Sequence, residues 1–497
     1  MKTPLLILSS LLAFAPAALP AATAEHYLKS APFPMPDLVA PTFPNRTFSI
    51  ADYGAVPDGH TLATEAFARA IRACSEAGGG HVVVPPGLWI TGPIVLASNV
   101  DLHAERGALI QFTPDHSQYP LVGKGGKSGY MTQSPLSGDN LTNVAITGQG
   151  IFDGAGETWR PVKRGKVTVA QWKAFVSSGG ATTNNDSVWW PTKAASEGEA
   201  YLKHLRATNP DPTVADFLPA RDFLRPKLLV LSDCRNVLIE DVTLRNSPAF
   251  VCYPVHCTNV IIRGVSIFNE YWAQNGDGID LSACRNALLY RCNVSAGDDG
   301  ICMKSSGRTD DPDGALNHVV IAECTVYHAH GGFVIGSNTD GGMRYLWATR
   351  CTFIGTDMGI RVKSAPGRGG LVRDIYATDL VMKDIVGAAI GFQTTYEDVK
   401  AGHRVKGMPP GKPGRLPDFG QFTIRNLVCD GAGTAIDIAG LAEQPVHDIL
   451  IENARIAARH GMHALNAANI TLRKVRIVTP EKPAITSESS TGIVVEN

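Results

Sequence analysis

Asn236-Val237-Leu238-Ile239 is followed by Asn259-Val260-Ile261-Ile262 and then by Asn286-Ala287-Leu288-Leu289, at intervals of 23 and 27 residues. His318-Val319-Val320-Ile321, Asp374-Ile375, Asn426-Leu427, Asp448-Ile449-Leu450-Ile451 and Asn469-Ile470-Thr471-Leu472 continue the pattern, the last three spaced by 22 and 21. A period of roughly 20 to 30 residues holding several short β-branched runs describes a β-solenoid rather than a helical repeat. The recurring Asn suits a turn, where it tolerates a left-handed conformation and can stack on its equivalents. A β-sandwich has no reason to repeat Asn-Val-x-Ile at near-constant spacing. The Leu-x-x-Leu-x-Leu skeleton of leucine-rich repeats is absent. The expected fold is all-β and a single domain, because each coil of a solenoid needs only its neighbours to fold.

The flanking sequence fits that scheme. Residues 46–112 carry Tyr53-Gly54-Ala55-Val56-Pro57-Asp58-Gly59, then an amphipathic helix with Phe67, Ala70, Ile71 and Cys74 on one stripe, then Gly78-Gly79-Gly80 and a strand over 81–85. A helix with one apolar face at the start of a stacked array predicts a cap on the open end of the core. Residues 156–226 interrupt the repeat with Trp159, Trp172, Trp189, Trp190, Lys163, Arg164 and Lys166. Those tryptophans are expected to pack the insertion onto its scaffold; stacking on sugar rings is the alternative. Residues 400–419, rich in Gly and Pro with His403, Arg404, Lys406, Lys412 and Arg415, read as a flexible surface loop.

Residues 1–24 read as a secretory signal, with Lys2 as the positive end, an apolar region over 4–19 and Ala22-Thr23-Ala24 as the cleavage site. Ser9, Ser10, Pro16 and Pro20 interrupt the unbroken run of about 20 apolar residues that a membrane anchor needs. A periplasmic or secreted monomer of residues 25–497 is the resulting expectation. The net charge of −1 argues against nucleic acid and membrane surfaces as partners, so preference for a charged ligand has to come from a local cluster. The ten cysteines lack zinc-site spacing. Cys234, Cys257 and Cys284 hold one repeat position and Cys292, Cys324 and Cys351 another, which favours stacked buried thiols without excluding a bridge.

Four polar motifs interrupt the apolar alternation between 275 and 363: Asn275-Gly276-Asp277-Gly278-Ile279-Asp280, Gly297-Asp298-Asp299-Gly300, His330-Gly331-Gly332 and Arg361-Val362-Lys363. If successive runs stack as rungs, all four lie on one face. A lone Asp-Asp pair most often has one carboxylate exposed and the other capping a turn. Here three or four carboxylates are followed by one His and two cations. Like charges held close split their pKa values, leaving one group protonated and another ionised. That is the requirement for a general acid and a general base acting on a glycosidic bond.

With these motifs in view, the chain resembles the family 28 glycoside hydrolases, the polygalacturonases and their relatives, over nearly its whole length beyond residue 24. The resemblance implies a right-handed parallel β-helix and inverting hydrolysis of α-galacturonosyl linkages in pectic polymers or oligosaccharides, without metal or cofactor. It implies Asp298 as the general acid, Asp277 and Asp299 as the pair activating water, and His330 as the residue that keeps the acid protonated or oriented. Arg361 and Lys363 would grip the sugar carboxylate. Asn275, Lys304, Arg308 and Tyr396 are further substrate-binding candidates, Lys304 and Arg308 as cations for a second uronate and Tyr396 as a ring against the neighbouring sugar. Asp280 is left out of the expected site. The family's Asn-Thr-Asp stands here as Asn275-Gly276-Asp277, its Gly-His-Gly as Ala329-His330-Gly331 and its Arg-Ile-Lys as Arg361-Val362-Lys363, and none of these changes removes a charged group. Exo action is expected because the insertion could wall off one end of the groove. The alternatives are a rhamnogalacturonan hydrolase on the same scaffold, a calcium-dependent pectate lyase and a non-catalytic β-helical binding protein.

Overall fold

The computed structural model describes residues 23–125, 129–307, 311–396 and 415–497. Its strands form a right-handed parallel β-helix in which three strands make one coil. One coil is Leu229–Ser232, Arg235–Glu240 and Thr243–Arg245, and the next is Cys252–Val255, Thr258–Arg263 and Ser266–Phe268. Each strand pairs in parallel with its counterpart on the following coil. In the middle column Val237, Val260, Ala287, Val319, Leu346 and Ile375 share one register and point into the core. A single apolar cluster runs through the solenoid from Ile50 to Leu472, and burying each aliphatic side chain contributes roughly 1.5–3 kcal/mol.

The repeated Asn is a corner device. Asn236, Asn259 and Asn286 have φ of 57°, 59° and 57°, a conformation that Asn adopts more readily than other residues with a Cβ. Their amides form a ladder: Asn236 donates to Asn143 at 2.9 Å, Asn259 to Asn236 at 2.9 Å and Asn286 to Asn259 at 2.7 Å. The column continues through His318, Tyr345, Asp374, Gln421, Asp448 and Asn469, all with positive φ. Asn426 is not a member, contrary to the spacing in the sequence. It donates to Asp379 and accepts from Asn453, at a different corner. Gln421 takes its place because Ile375, Phe422 and Ile449 are in register.

All ten cysteines are buried free thiols; Cys234, Cys257 and Cys284 neighbour one another, as do Cys292, Cys324 and Cys351, which fits the stacking expected of those six. The helix Thr64–Glu76 buries Ala66, Phe67, Ala70, Ile71 and Cys74 against the first coil. Unforeseen is a strap formed by the helix Ala24–Ser30 and the extended segment after it. Tyr27 and Phe33 pack on Leu288, Val320 and Trp347, and Phe43 on Ala145 and Leu238, all on the outside of the middle column. Tyr27 donates to Glu323 at 2.6 Å.

Within residues 156–226 a three-stranded antiparallel sheet packs with the helices Val169–Ser177 and Lys193–Thr208. Trp159, Trp172 and Trp189 are buried, consistent with packing rather than sugar stacking. Residues 1–22, Arg308 and the loop segment 397–414, which holds His403, Arg404, Lys406 and Lys412, lie outside the described residues. Among the described residues no helix is long and apolar enough to cross a membrane.

Candidate active site

One column of strands supplies the whole site. Ile279–Ser282, Asp299–Lys304, Gly331–Ile335 and Ile360–Lys363 lie side by side on successive coils. Ile279, Ile301, Phe333 and Ile360 face the core, so alternation turns Asp280, Cys302 and Arg361 outward. Asp277, Asp298 and His330 precede their strands, in the turns that lead into this face. Ligating atoms of Asp298, Asp299 and His330 lie within 4.8 Å of one another.

The turn that presents Asp277 explains the glycine in its motif. A Cβ on Gly276 would stand 2.8 Å from Asn269 Nδ2 and 2.9 Å from the Ala273 carbonyl oxygen, so no side chain fits. Asn275 sits at φ 56°, and its Oδ1 accepts a 3.0 Å hydrogen bond from Arg225. Arg225 also donates to the carbonyls of Pro248 and Gln274, and burial pushes its guanidinium down to about 10.

Two electrostatic halves meet here. In the first, Lys304 Nζ lies 3.4 Å from Asp277 and 2.9 Å from Asp280, and donates to Cys302 Sγ at 3.0 Å. One cation cannot neutralise two carboxylates that are 3% and 0% exposed. Burial therefore pushes Asp277 well above the ordinary carboxylate range, with Asp280 adding repulsion and Lys304 opposing. Burial pushes Asp280 up to about 6 against the pull of Lys304. Asp277 Oδ1 is buried and accepts no hydrogen bond from the described residues. In the second half, burial of Asp299 is outweighed by Lys363, 2.7 Å from Oδ2, and Arg361, 3.2 Å from Oδ1, which hold it well below its usual range.

Asp298 belongs to this low half. Burial is the largest effect and raises it, but the hydrogen bond from His330 and the attraction of nearby positive charge, Lys363 included, together outweigh burial and hold it below its usual range. His330 Nδ1 is 2.8 Å from Asp298 Oδ1, and His330 Nε2 is 2.9 Å from Lys166 Nζ. An ammonium offers only N–H groups, so Nε2 accepts and Nδ1–H donates to Asp298. Asp298 Oδ1 also accepts the Asp299 backbone N–H at 3.0 Å, and both of these bonds fall on Oδ1, so that Oδ2 has no hydrogen-bond donor among the described residues. Lys166 donates further to the Gly297 carbonyl at 3.1 Å and stands over the Tyr271 ring at 5.2 Å.

The structure brings together Asp277, Asp298, Asp299, His330, Arg361 and Lys363. Tyr396 joins them: its ring lies 5.6 Å from the Arg361 guanidinium and 4.9 Å from the Lys363 ammonium. Two expectations change. Asp280, left out, is buried within the site because Asp277 precedes its strand and escapes the strict alternation. Lys304, expected to meet a second uronate, instead donates to Asp277 and Cys302 and forms an ion pair with Asp280 within the site. Of the two effects expected of His330, the bonding supplies orientation, since an N–H donor favours the ionised Asp298. Sequence reasoning missed Arg225, Lys166 and Lys227, whose ammonium lies 4.6 Å from the Tyr253 ring. The only signal for Lys166 was its clustering with Lys163 and Arg164 in the insertion.

The chain is similar to known proteins in sequence and in fold. Residues 221–409 match the model of the glycosyl hydrolases family 28. The chain is 28% identical to a probable polygalacturonase of Vitis vinifera over 82% of its own length and 74% of that protein's. It is 27% identical to an exo-poly-alpha-D-galacturonosidase of Dickeya chrysanthemi over 80% of its length and 64% of that protein's. The crystal structure of a hyperthermoactive exopolygalacturonase from Thermotoga maritima superposes with a TM-score of 0.69 at 28% identity, covering 95% of each chain.

Proposed function

We propose that the chain is a glycosyl hydrolase of family 28, whose model it matches over residues 221–409, and that it hydrolyses α-galacturonosyl linkages of pectic chains with inversion, acting from a chain end. The observation that carries the reading is the split within one cluster: Asp277 is raised while Asp298 and Asp299 are held low. Such a split assigns a proton to one place and a charge to another at the same pH.

Arg361 and Lys363 are the cations suited to a uronate, in front of the Tyr396 ring. Lys363 keeps further N–H donors beside the one given to Asp299. A bound uronate draws both cations away from Asp299 and adds negative charge beside Asp298. Both effects raise Asp298, so that it carries the proton it passes from Oδ2 to the leaving oxygen. Asp299, the ionised member of the pair, then takes the proton of the attacking water, while Asp277 Oδ1, which accepts no hydrogen bond from the described residues, orients that water. The raised Asp277 favours a second allocation, with Asp277 as the proton donor. An activated aryl galacturonide, whose leaving group needs little protonation, separates the two: the variant that lacks the donor keeps its rate on that substrate. Asp298→Asn is expected to behave this way, losing several orders of magnitude in kcat on polygalacturonate only. The same pattern in Asp277→Asn instead would exchange the two roles.

The reach of the insertion, through Lys166, to His330 supports action at a chain end. Digestion of polygalacturonic acid should release monomer from the first minutes; a ladder of oligomers would overturn the exo assignment. An ultraviolet-absorbing unsaturated product that disappears with chelator would replace hydrolysis by elimination. Residues 1–24 are proposed as a cleavable leader to the periplasm or exterior.

A further inference from the structure

A second cluster of ligating side chains stands on the outward face that carries the candidate site. His460 and His463 belong to the strand His460–Leu465, and Glu481 follows the strand Ala467–Val478. One ligating atom from each lies within 4.8 Å of the other two. His463 Nε2 is 3.3 Å and His460 Nδ1 3.8 Å from Glu481 Oε2. Both separations exceed the roughly 2.7–2.9 Å of a charge-assisted hydrogen bond. They bracket the edge of a tetrahedron whose ligands sit about 2.0–2.1 Å from a zinc-sized ion, which is about 3.4 Å.

The neighbours hold these groups in ligand form. Thr486 Oγ1 donates to the Met462 carbonyl at 3.3 Å and lies 2.9 Å from His463 Nδ1. It therefore accepts Nδ1–H, which leaves the Nε2 lone pair facing Glu481. The Gly461 backbone N–H donates to Glu481 Oε2 at 2.5 Å and fixes the carboxylate. His463 shares its outward row with Asp437, Gly391 and Arg361. It thus lies three coils, roughly 14 Å, beyond Arg361 at about 4.8 Å per coil. The side chains of His460, His463 and Glu481 are 61%, 28% and 27% exposed, open to an ion from solvent.

We propose that His460, His463 and Glu481 bind a divalent cation of the zinc type, water completing its shell. Two imidazoles and one carboxylate favour such a metal over calcium or magnesium, which prefer oxygen. The ion ties the segment before the last coil's first strand, Ile485–Glu488, to the coil beneath it.

The test uses the full chain without a polyhistidine tag, stripped with chelator and titrated with Zn2+ by calorimetry and with Co2+ by visible absorption. One ion per chain is expected. His463→Ala and Glu481→Gln should each weaken binding at least about tenfold, as should Thr486→Val, which removes no ligand. Zn2+ should raise the Tm of the wild type and not of Glu481→Gln, a surface change that leaves the fold in place. No stoichiometric uptake by the wild type would overturn the proposal. So would unchanged uptake in the His463 and Glu481 variants, which would move the ion to Asp298, Asp299 and His330.

Discussion

Asp298 and Asp277 make opposite demands on pH. In the free protein Asp298 lies below the usual carboxylate range, whereas the substrate complex places a uronate beside it. The basic limb of kcat/KM, which reports the free enzyme, should therefore fall at lower pH than the basic limb of kcat, which reports the complex. Coincident limbs in a rate profile on oligogalacturonide would refute the shift on binding. Asp277 bears on stability. Its carboxyl is raised on folding, so the stability that its proton confers is full below the unfolded value of about 3.9 and is lost as pH rises toward the folded value. Asp277→Asn keeps a neutral group at every pH. The Tm of the variant should exceed that of the wild type by an increasing margin from pH 4 to pH 7, as scanning calorimetry would show.

The insertion acts at the scale of an element. It contributes Lys166 to a line of bonds through His330 to Asp298. Lys166→Met removes the donor that fixes the imidazole tautomer while keeping the length of the side chain. A fall in kcat of about 10- to 100-fold with little change in KM is expected, since the line orients the acid rather than the sugar. Equal rates for the variant and the wild type would reduce Lys166 to a packing residue. The sequence held the repeat, the capping helix and the motif residues in plain view, because each is local: an alternation, a stripe or a short run. Lys166, Arg225 and the strap with Tyr27 were hidden because their partners lie 164, 50 and 296 residues away and no local pattern records such contacts. Asp280 was misjudged by applying strand alternation to Asp277, which sits in a turn.

At the scale of the whole molecule the coils are held in step by the corner ladder. Asn259 both donates to Asn236 and accepts from Asn286, at φ 59°. Asn259→Ala loses about 1 kcal/mol per hydrogen bond and adds a left-handed strain of roughly 1–2 kcal/mol, for about 3 kcal/mol in denaturant melts. Asn259→Gly, free of the strain, should lose less. A glycine variant no more stable than the alanine one would show that the corner geometry is not what fixes the position.

The outward row that holds Asp280, Cys302 and Arg361 is separate from the inward row that holds Ile279, Ile301 and Ile360. Reactive chemistry can therefore be rewritten, one rung at a time, on a cylinder whose assembly is dictated from inside. A lineage of such chains is free to change what it breaks down without relearning how to fold.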